Sequence, residues 1–424
     1  MYLQSKGMAS LSSQPALNPE LKTFFSGLFS RVKSTAAPAS IIPIVIFVVL
    51  LGVSIGLLSY YFTSNRALET PVNIKRLTKD ATMAASRYDF SNPKRAGLRA
   101  YLTQLKKEGV PDAQLVLGNF YISTANAAGV FLPGADAAVS PMAARAAVLG
   151  GARGFVFDIW PDLTPGANFA PILQVVEPGS SWRRISINSL SFLTVLRTLM
   201  NEAFEVEARP GNEDPLVLYL RFRGKPREAT YTATANALRT TLEQYRLESA
   251  FNNCRNQDRV FSIPMTNLFK KVVIVSNVRA EGNALSDFIN VGPRDGLKLE
   301  MSPAEIRGLS AEGKADTVNK IRQNLTVVAP LSEETLANDN YTFDDAQAVG
   351  VHMCALNFMN DNDVLKKYMS PTLFGTQSFK IKPSNLRYSI ELLPKPKYPE
   401  NPNWGTGASA GSPTMPPPIR LPTN

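Results

Sequence analysis

The sequence predicts an α/β fold: a TIM-type (β/α) barrel preceded by one N-terminal transmembrane helix. Three observations carry that expectation. Short apolar runs alternate with helical stretches over about 280 residues of the C-terminal part, the pattern of strands joined by crossover helices. Residues 34–65 contain no charged side chain, and within them IIPIVIFVVLLGVSIGLLSYYF (41–62) is 22 residues. As a helix that run is about 33 Å long, enough to cross a bilayer core. Finally, 424 residues with 44 % apolar and 19 % charged side chains suffice to bury a large core.

Taken in order, residues 1–33 are polar, lack a periodic apolar pattern and read as a flexible arm. Residues 38–62 follow as the expected transmembrane helix. Tyr60, Tyr61 and Phe62 crowd one end of it, where aromatic rings favour the lipid–water interface. A cleavable signal peptide fits less well, because the apolar run is too long, its leader exceeds 30 residues and no A-x-A site follows. Lys22, Arg31 and Lys33 lie before the span, and Arg66, Lys75, Arg76 and Lys79 after it. Three cations against four leave its orientation open. The sequons at Asn324 and Asn340 matter only if the C-terminal part is lumenal.

Segment 66–109 is basic. Between residues 66 and 107 there are ten Lys/Arg and three Asp/Glu, +7 of the chain's +10. Beside an anionic leaflet each cation contributes about 1 kcal/mol, although an ordinary solvated face accounts for the charge equally well. Nucleic acid is not expected, since the charge adjoins the span and no base-reading module accompanies it. Leu98, Tyr101, Leu102 and Leu105 recur at i, i+3, i+4 and i+7 with Gly109 beyond, which predicts an amphipathic helix.

Residues 110–388 hold the expected barrel. Its strand candidates are QLVLGNFYI, GARGFVFDIW, PLVLYLRF, KKVVIVSN, NLTVVAP, GVHMCALNF and QSFKIKP, with helical pattern between them, as at 191–204 and 235–246. From residue 389 to 424 there are nine prolines and the stretch GTGASAGS, an extended or disordered tail. Its PKPKYPENP and TMPPPIRLP stretches suit a polyproline ligand, or more simply a spacer.

Composition limits the chemistry. Two cysteines exclude a disulfide scaffold and a Cys-rich zinc module. With His352 as the only histidine, no mechanism that needs two imidazoles is available.

The strands, in this order, resemble the X and Y halves of the barrel of eukaryotic phosphoinositide-specific phospholipase C. GVHMCALNF (350–358) resembles G-x-Q-M-V-A-L-N-F, and FKIKPSNLR (379–387) resembles Y-V-L-K-P-x-x-L-R. GARGFVFDIW (151–160), NFYISTANAAGV (119–130), PLVLYLRF after Ala203–Phe204, and LFKKVVIVSN (268–277) fall in the collinear places of the family's other barrel segments. The resemblance implies two catalytic histidines, a Ca²⁺ held by Asn, Glu, Asp and Glu, and basic residues for the ring phosphates.

Carried over residue by residue, that machinery is degenerate. The first histidine falls on Asn126, and the calcium-binding Asn beside it on Ala127. The calcium-binding Glu falls on Val156, with only Asp158 surviving nearby. The second histidine falls on Val175, and the third acidic ligand on Arg221, a charge reversal. The phosphate-binding lysines fall on Val275 and Asn277, and the substrate arginine on Val327. One carboxylate beside a cation does not hold an ion that wants about six to eight oxygens. The reading is a membrane-anchored pseudoenzyme with no cofactor and no metal, acting in binding, scaffolding or structure. Its expected partners are the lipid bilayer, anionic headgroups and a protein. A membrane-containing assembly, including a virion or an endomembrane, is compatible.

EPGSSWRR (177–184) would lie over the old pocket's mouth, and residues 282–297 read as a short linker between the halves. His352, on a barrel strand where the family has Gln, reads as a core histidine with a satisfied hydrogen bond. Cys354 is expected on the same face, and a Cys254–Cys354 bridge is undetermined from sequence. The rival reading is an active phosphodiesterase using His352 and Asp158. It requires the two side chains to converge at the C-terminal mouth of the barrel.

Overall fold

The structure, a computed structural model, describes residues 48–57 and 96–388, apart from 131–137, 177–183, 208, 255, 280, 294–297 and 331–339. The polar arm, most of the basic segment, the loop 177–183 and the Pro-rich tail lie outside the described residues. So does much of the expected span. Residues 48–57 are helical, with Val48, Leu50, Leu51, Val53, Ile55 and Leu57 exposed. No helix among the described residues is long and apolar enough to cross a membrane.

The amphipathic helix expected near residue 100 is α1 (Leu98–Lys107), and its buried side chains are Leu98, Tyr101, Leu102 and Leu105. The backbone N–H of Leu98 donates to Asp214 Oδ1 at 2.8 Å, so a carboxylate sits on the positive end of the helix. Gly109, at φ +87°, turns the chain away beyond its C-terminus. The apolar face of α1 shares a core with Leu117, Phe120, Phe261 and Met265, which lie at or just before the starts of strands or in short connecting helices. The helix thereby closes the N-terminal end of the barrel.

The wall begins with β1 (Phe120–Ala125) and β2 (Gly154–Pro161). After β2 come β3 (Pro171–Leu173) and β4 (Leu190–Ser191), an antiparallel extension built onto the end of β2. Then follow β5 (Leu216–Phe222), β6 (Val272–Ser276), β7 (Glu300–Met301), β8 (Val327–Val328) and β9 (Met353–Leu356). Parallel pairing joins β6–β5–β2–β1–β9–β8–β7, so chain order runs around the wall. Val291 makes a parallel bridge to Val275 and extends the wall beyond β6. Strand β10 (Phe379–Ile381) pairs antiparallel with β1, outside the parallel succession.

Alternation along the strands sorts the side chains. Ile122, Val156, Val217, Tyr219, Val273, Val275, Val327, Met353 and Ala355 pack together inside the barrel. Phe155, Phe157, Leu218, Leu220, Ile274, Val328 and Leu356 face a separate outer layer. That layer is covered by α2 (Pro141–Leu149), α3 (Phe192–Met200) and α4 (Glu228–Leu242). Ser140 caps α2 and Pro141 occupies its first turn, a start signal that the sequence displays. Gly154 sits where β1 and β2 approach inside the barrel. A Cβ there would overlap Thr124 Oγ1 and come within 3.0 Å of Met353 Cε.

Several expectations change. The strand read at QLVLGNFYI begins only at Phe120, because Asp112–Gln114 and Leu117–Asn119 are 3₁₀ turns. The helix expected over 191–204 ends as α at Met200 and continues as a π turn, Asn201–Glu205. Residues 282–297, read as a linker, contain core: Leu285, Phe288, Ile289 and Val291 are all buried. Single apolar residues spaced by polar ones carry no strand pattern, so this part of the wall was invisible to periodicity. Cys254 and Cys354 are both free thiols. Neither sequon is presented freely: Asn324 is buried, and Asn340 Nδ2 donates to the carbonyls of Asn357 and Asn360, each at 3.1 Å.

Candidate functional site at the barrel mouth

Strand β5 alternates inward at Val217, Tyr219 and Arg221, which carries a guanidinium to the C-terminal end of the barrel interior. Arg221 is wholly buried and lies against two carboxylates. Its Nε and Nη2 donate to Asp158 Oδ1 and Oδ2 at 2.5 and 2.7 Å, a bidentate pair between neighbours in register on β2 and β5. Its Nη1 donates to Glu300 Oε1 at 2.6 Å and to the carbonyl of Pro330 at 3.3 Å. The planar fork of a guanidinium fits this use, whereas a lysine ammonium would reach one acceptor group well and the rest poorly.

The remaining carboxylate oxygen is also occupied: Tyr219 OH donates to Glu300 Oε2 at 2.7 Å. Arg223 Nε adds a second cation to Asp158 Oδ1 at 2.8 Å. Burial alone would push the Asp158 carboxyl up, but Arg221 and Arg223 overcome it and hold the group at about 2. Burial and the neighbouring Glu300 raise the Tyr219 phenol well above its ordinary value. Asp158 is therefore ionised and Tyr219 neutral at neutral pH, and neither is poised to exchange a proton there.

The other positions carried over from the resemblance form the frame of the mouth. Val156, Val275 and Val327 belong to the apolar interior and are fully buried. Ala127 and Val175 meet in a small apolar cluster with Val130 and Ile185, and Ala127 adopts φ +43°. Asn126 is buried at the end of β1, and its N–H donates to the carbonyl of Leu356 at 2.8 Å. Asn277 staples β6 to β5: its Oδ1 accepts from the N–H of Phe222 at 2.8 Å and its Nδ2 donates to the carbonyl of Phe222 at 3.1 Å.

These residues do not fit a calcium ion. The two carboxylates of the mouth already coordinate a tethered cation, and Val156 supplies no oxygen. Among the described residues, no group of three or more His, Cys, Asp or Glu side chains is placed to hold a metal.

His352 lies at the opposite end. It precedes β9, is buried, and its Nε2 lies 3.0 Å from the carbonyl of Gly118, which precedes β1. Nδ1 lies 3.4 Å from the N–H of Thr326, so Nδ1 accepts and Nε2 carries the proton. Burial and Lys382 both lower the imidazole pKa well below 6.5. Asp158, towards the end of β2, is not brought to His352. Sequence reasoning found Asp158 and Arg221 but missed Glu300, Tyr219 and Arg223. Tyr219 and Arg223 are legible from β5 alternation once Arg221 is inward; Glu300, in KLEMSP, has no such signal.

No protein-family model matches the chain, and no curated protein matches it in sequence. Solved structures do. The crystal structures of PLC21 from L. pealei and from S. officinalis each superpose with a TM-score of 0.50 at 16 % identity, over 66 % of this chain. The match covers 38 % of each of those chains. A calcium-dependent phosphoinositol-specific phospholipase C from Pseudomonas sp. matches with a TM-score of 0.40 at 9 % identity, over 64 % of this chain and 96 % of its own. The likeness to PLC21 establishes the fold: a phospholipase-C-like barrel of mixed α/β construction.

Proposed function

We propose that the protein is a membrane-anchored, non-catalytic phospholipase-C-like barrel that works by binding or scaffolding at a bilayer. The observation that carries this reading is Arg221 itself, a buried guanidinium that fills the Asp158–Glu300 pair at the barrel mouth. A site whose acceptors are already satisfied by an internal cation offers no Lewis acid and no general base to a substrate. Absence of histidine from the mouth supports the same reading, since His352 lies at the far end of the barrel. Anchorage rests on the uncharged run 41–62 and on the +7 of residues 66–107, which favour an anionic leaflet.

Full-length protein reconstituted in vesicles containing phosphoinositides tests the catalytic half of the proposal. Inositol phosphate release is expected to stay at the level of protein-free vesicles, with or without Ca²⁺. Release that disappears on adding a chelator would show an active phosphodiesterase and sink the reading. Alkaline carbonate extraction tests the anchor. The full chain is expected to stay in the membrane pellet and a chain lacking 41–62 to leave it; equal partition of the two would refute anchorage by this segment.

A further inference from the structure

Two hydrogen-bond donors at the barrel mouth have no acceptor among the described residues. On β2 the inward face carries Val156, Asp158 and then Trp160, which is 6 % exposed. Its indole Nε1 is shielded from water and has no hydrogen-bond partner there. Arg223 follows β5, and its N–H donates to the carbonyl of Ile159 at 2.9 Å, which carries the β2–β5 register one step past Ile159 and Phe222. Trp160 and Arg223 are therefore neighbours on one face, a step outward from Asp158 and Arg221. Arg223 gives its Nε to Asp158, but its Nη2 is shielded and unpartnered too.

Indole and guanidinium nitrogens only donate. A shielded donor without an acceptor is costly, and an acceptor that reaches it in a low-dielectric site is held more firmly than in water. The charge around these two sets what that acceptor is. Arg221 and Arg223 balance Asp158 and Glu300, while Lys225 and Arg227, exposed in the next connection, outnumber Glu228. A single negative charge suits that field, whereas a phosphate dianion would meet Asp158 and leave oxygens unpaired. Ile172 and Val176 pack against Trp160 and give the acceptor an apolar wall. Entry is along the Arg223 side chain, which keeps 15 % of its surface exposed.

We infer that this side of the mouth binds a short aliphatic monocarboxylate. Its two oxygens accept from Trp160 Nε1 and Arg223 Nη2, and its chain lies against Ile172 and Val176. These are the strands on which the resemblance places the family's calcium, so an anion takes the side of the mouth where a cation is expected. The site rests on the non-catalytic reading of that mouth.

Calorimetry on full-length protein in nanodiscs of uncharged phosphatidylcholine tests it, with sodium pentanoate as the probe. Saturable binding is expected, about tenfold tighter than that of pentanamide or inorganic phosphate. Trp160→Phe keeps a ring and loses the N–H, and Arg223→Met keeps the stem and loses the guanidinium. Each should weaken pentanoate about tenfold. No saturable binding, pentanamide or phosphate binding as tightly as pentanoate, or affinity unchanged in either variant that melts cooperatively would overturn the proposal. Inositol phosphate release from phosphoinositide vesicles would instead overturn the non-catalytic reading, so the two failures are told apart.

Discussion

Replacing Arg221 with methionine is expected to destabilise the barrel by about 3–5 kcal/mol, the usual consequence of removing one partner from a buried ion pair. Methionine retains much of the stem's volume, so the loss arises mainly from charge. Glu300 would be left with Tyr219 alone, and Asp158 with Arg223. The pH dependence distinguishes this cause from a packing defect. Asp158 is held at about 2 against an ordinary value of 3.8, so its contribution is present above that ordinary value and is lost as pH falls towards 2. The difference between wild type and Arg221→Met should therefore be largest near neutral pH and shrink below about pH 4. Denaturant unfolding at pH 7 and pH 3 measures it. A difference that stays constant between the two would show that Arg221 serves only to fill space.

The opposite sign is expected at Lys382. This residue follows β10 and is fully buried, and its Nζ has no hydrogen-bond partner among the described residues. The aromatic ring of Tyr121 lies 5.8 Å away, and burial pushes the amine well below the ordinary lysine range. Cys354 nearby gives little relief, because burial raises its thiol to about 12 and keeps it uncharged. Lys382→Met should stabilise the protein by about 1–3 kcal/mol at pH 7, the penalty of an unsatisfied buried polar group. An amine whose folded pKa is depressed binds fewer protons folded than unfolded, so wild-type stability falls as pH drops below 10.5. His352 adds to the fall below 6.5, since it too is held neutral. The gain from Lys382→Met should accordingly be small near pH 10 and grow towards neutral pH. Thermal melts of both proteins across that range decide it, and a variant less stable than wild type at pH 7 would mean that the amine finds a partner.

Lys382 and Arg221 also show where sequence reasoning stops. Both are cations of a kind that rarely enters a core, and nothing local marks either as buried. A cation at Arg221 drew notice in the sequence only through the strand's resemblance to a phospholipase C barrel segment, which implies an acidic residue there. Its partner Glu300 was not, because it lies 79 residues away on a two-residue strand with no apolar run. The antiparallel extension of β3 and β4 and the Val291 bridge escaped for the same reason, being too short for a period to register.

The sequence by itself determined the α/β class, the parallel wall and α1, because burial in a barrel forces apolar runs into strands and a 3.6-residue stripe onto a helix that covers its end. It also determined that the barrel mouth holds at most one histidine, since composition needs no coordinates. Tertiary structure alone decided that Asp158, Arg221 and Glu300 meet, that His352 lies at the other end, and that Lys382 is buried. Backbone periodicity is a local property, read within a few residues. Ion pairs, buried amines and cavities depend on which distant strands become neighbours, and only the closed barrel fixes that.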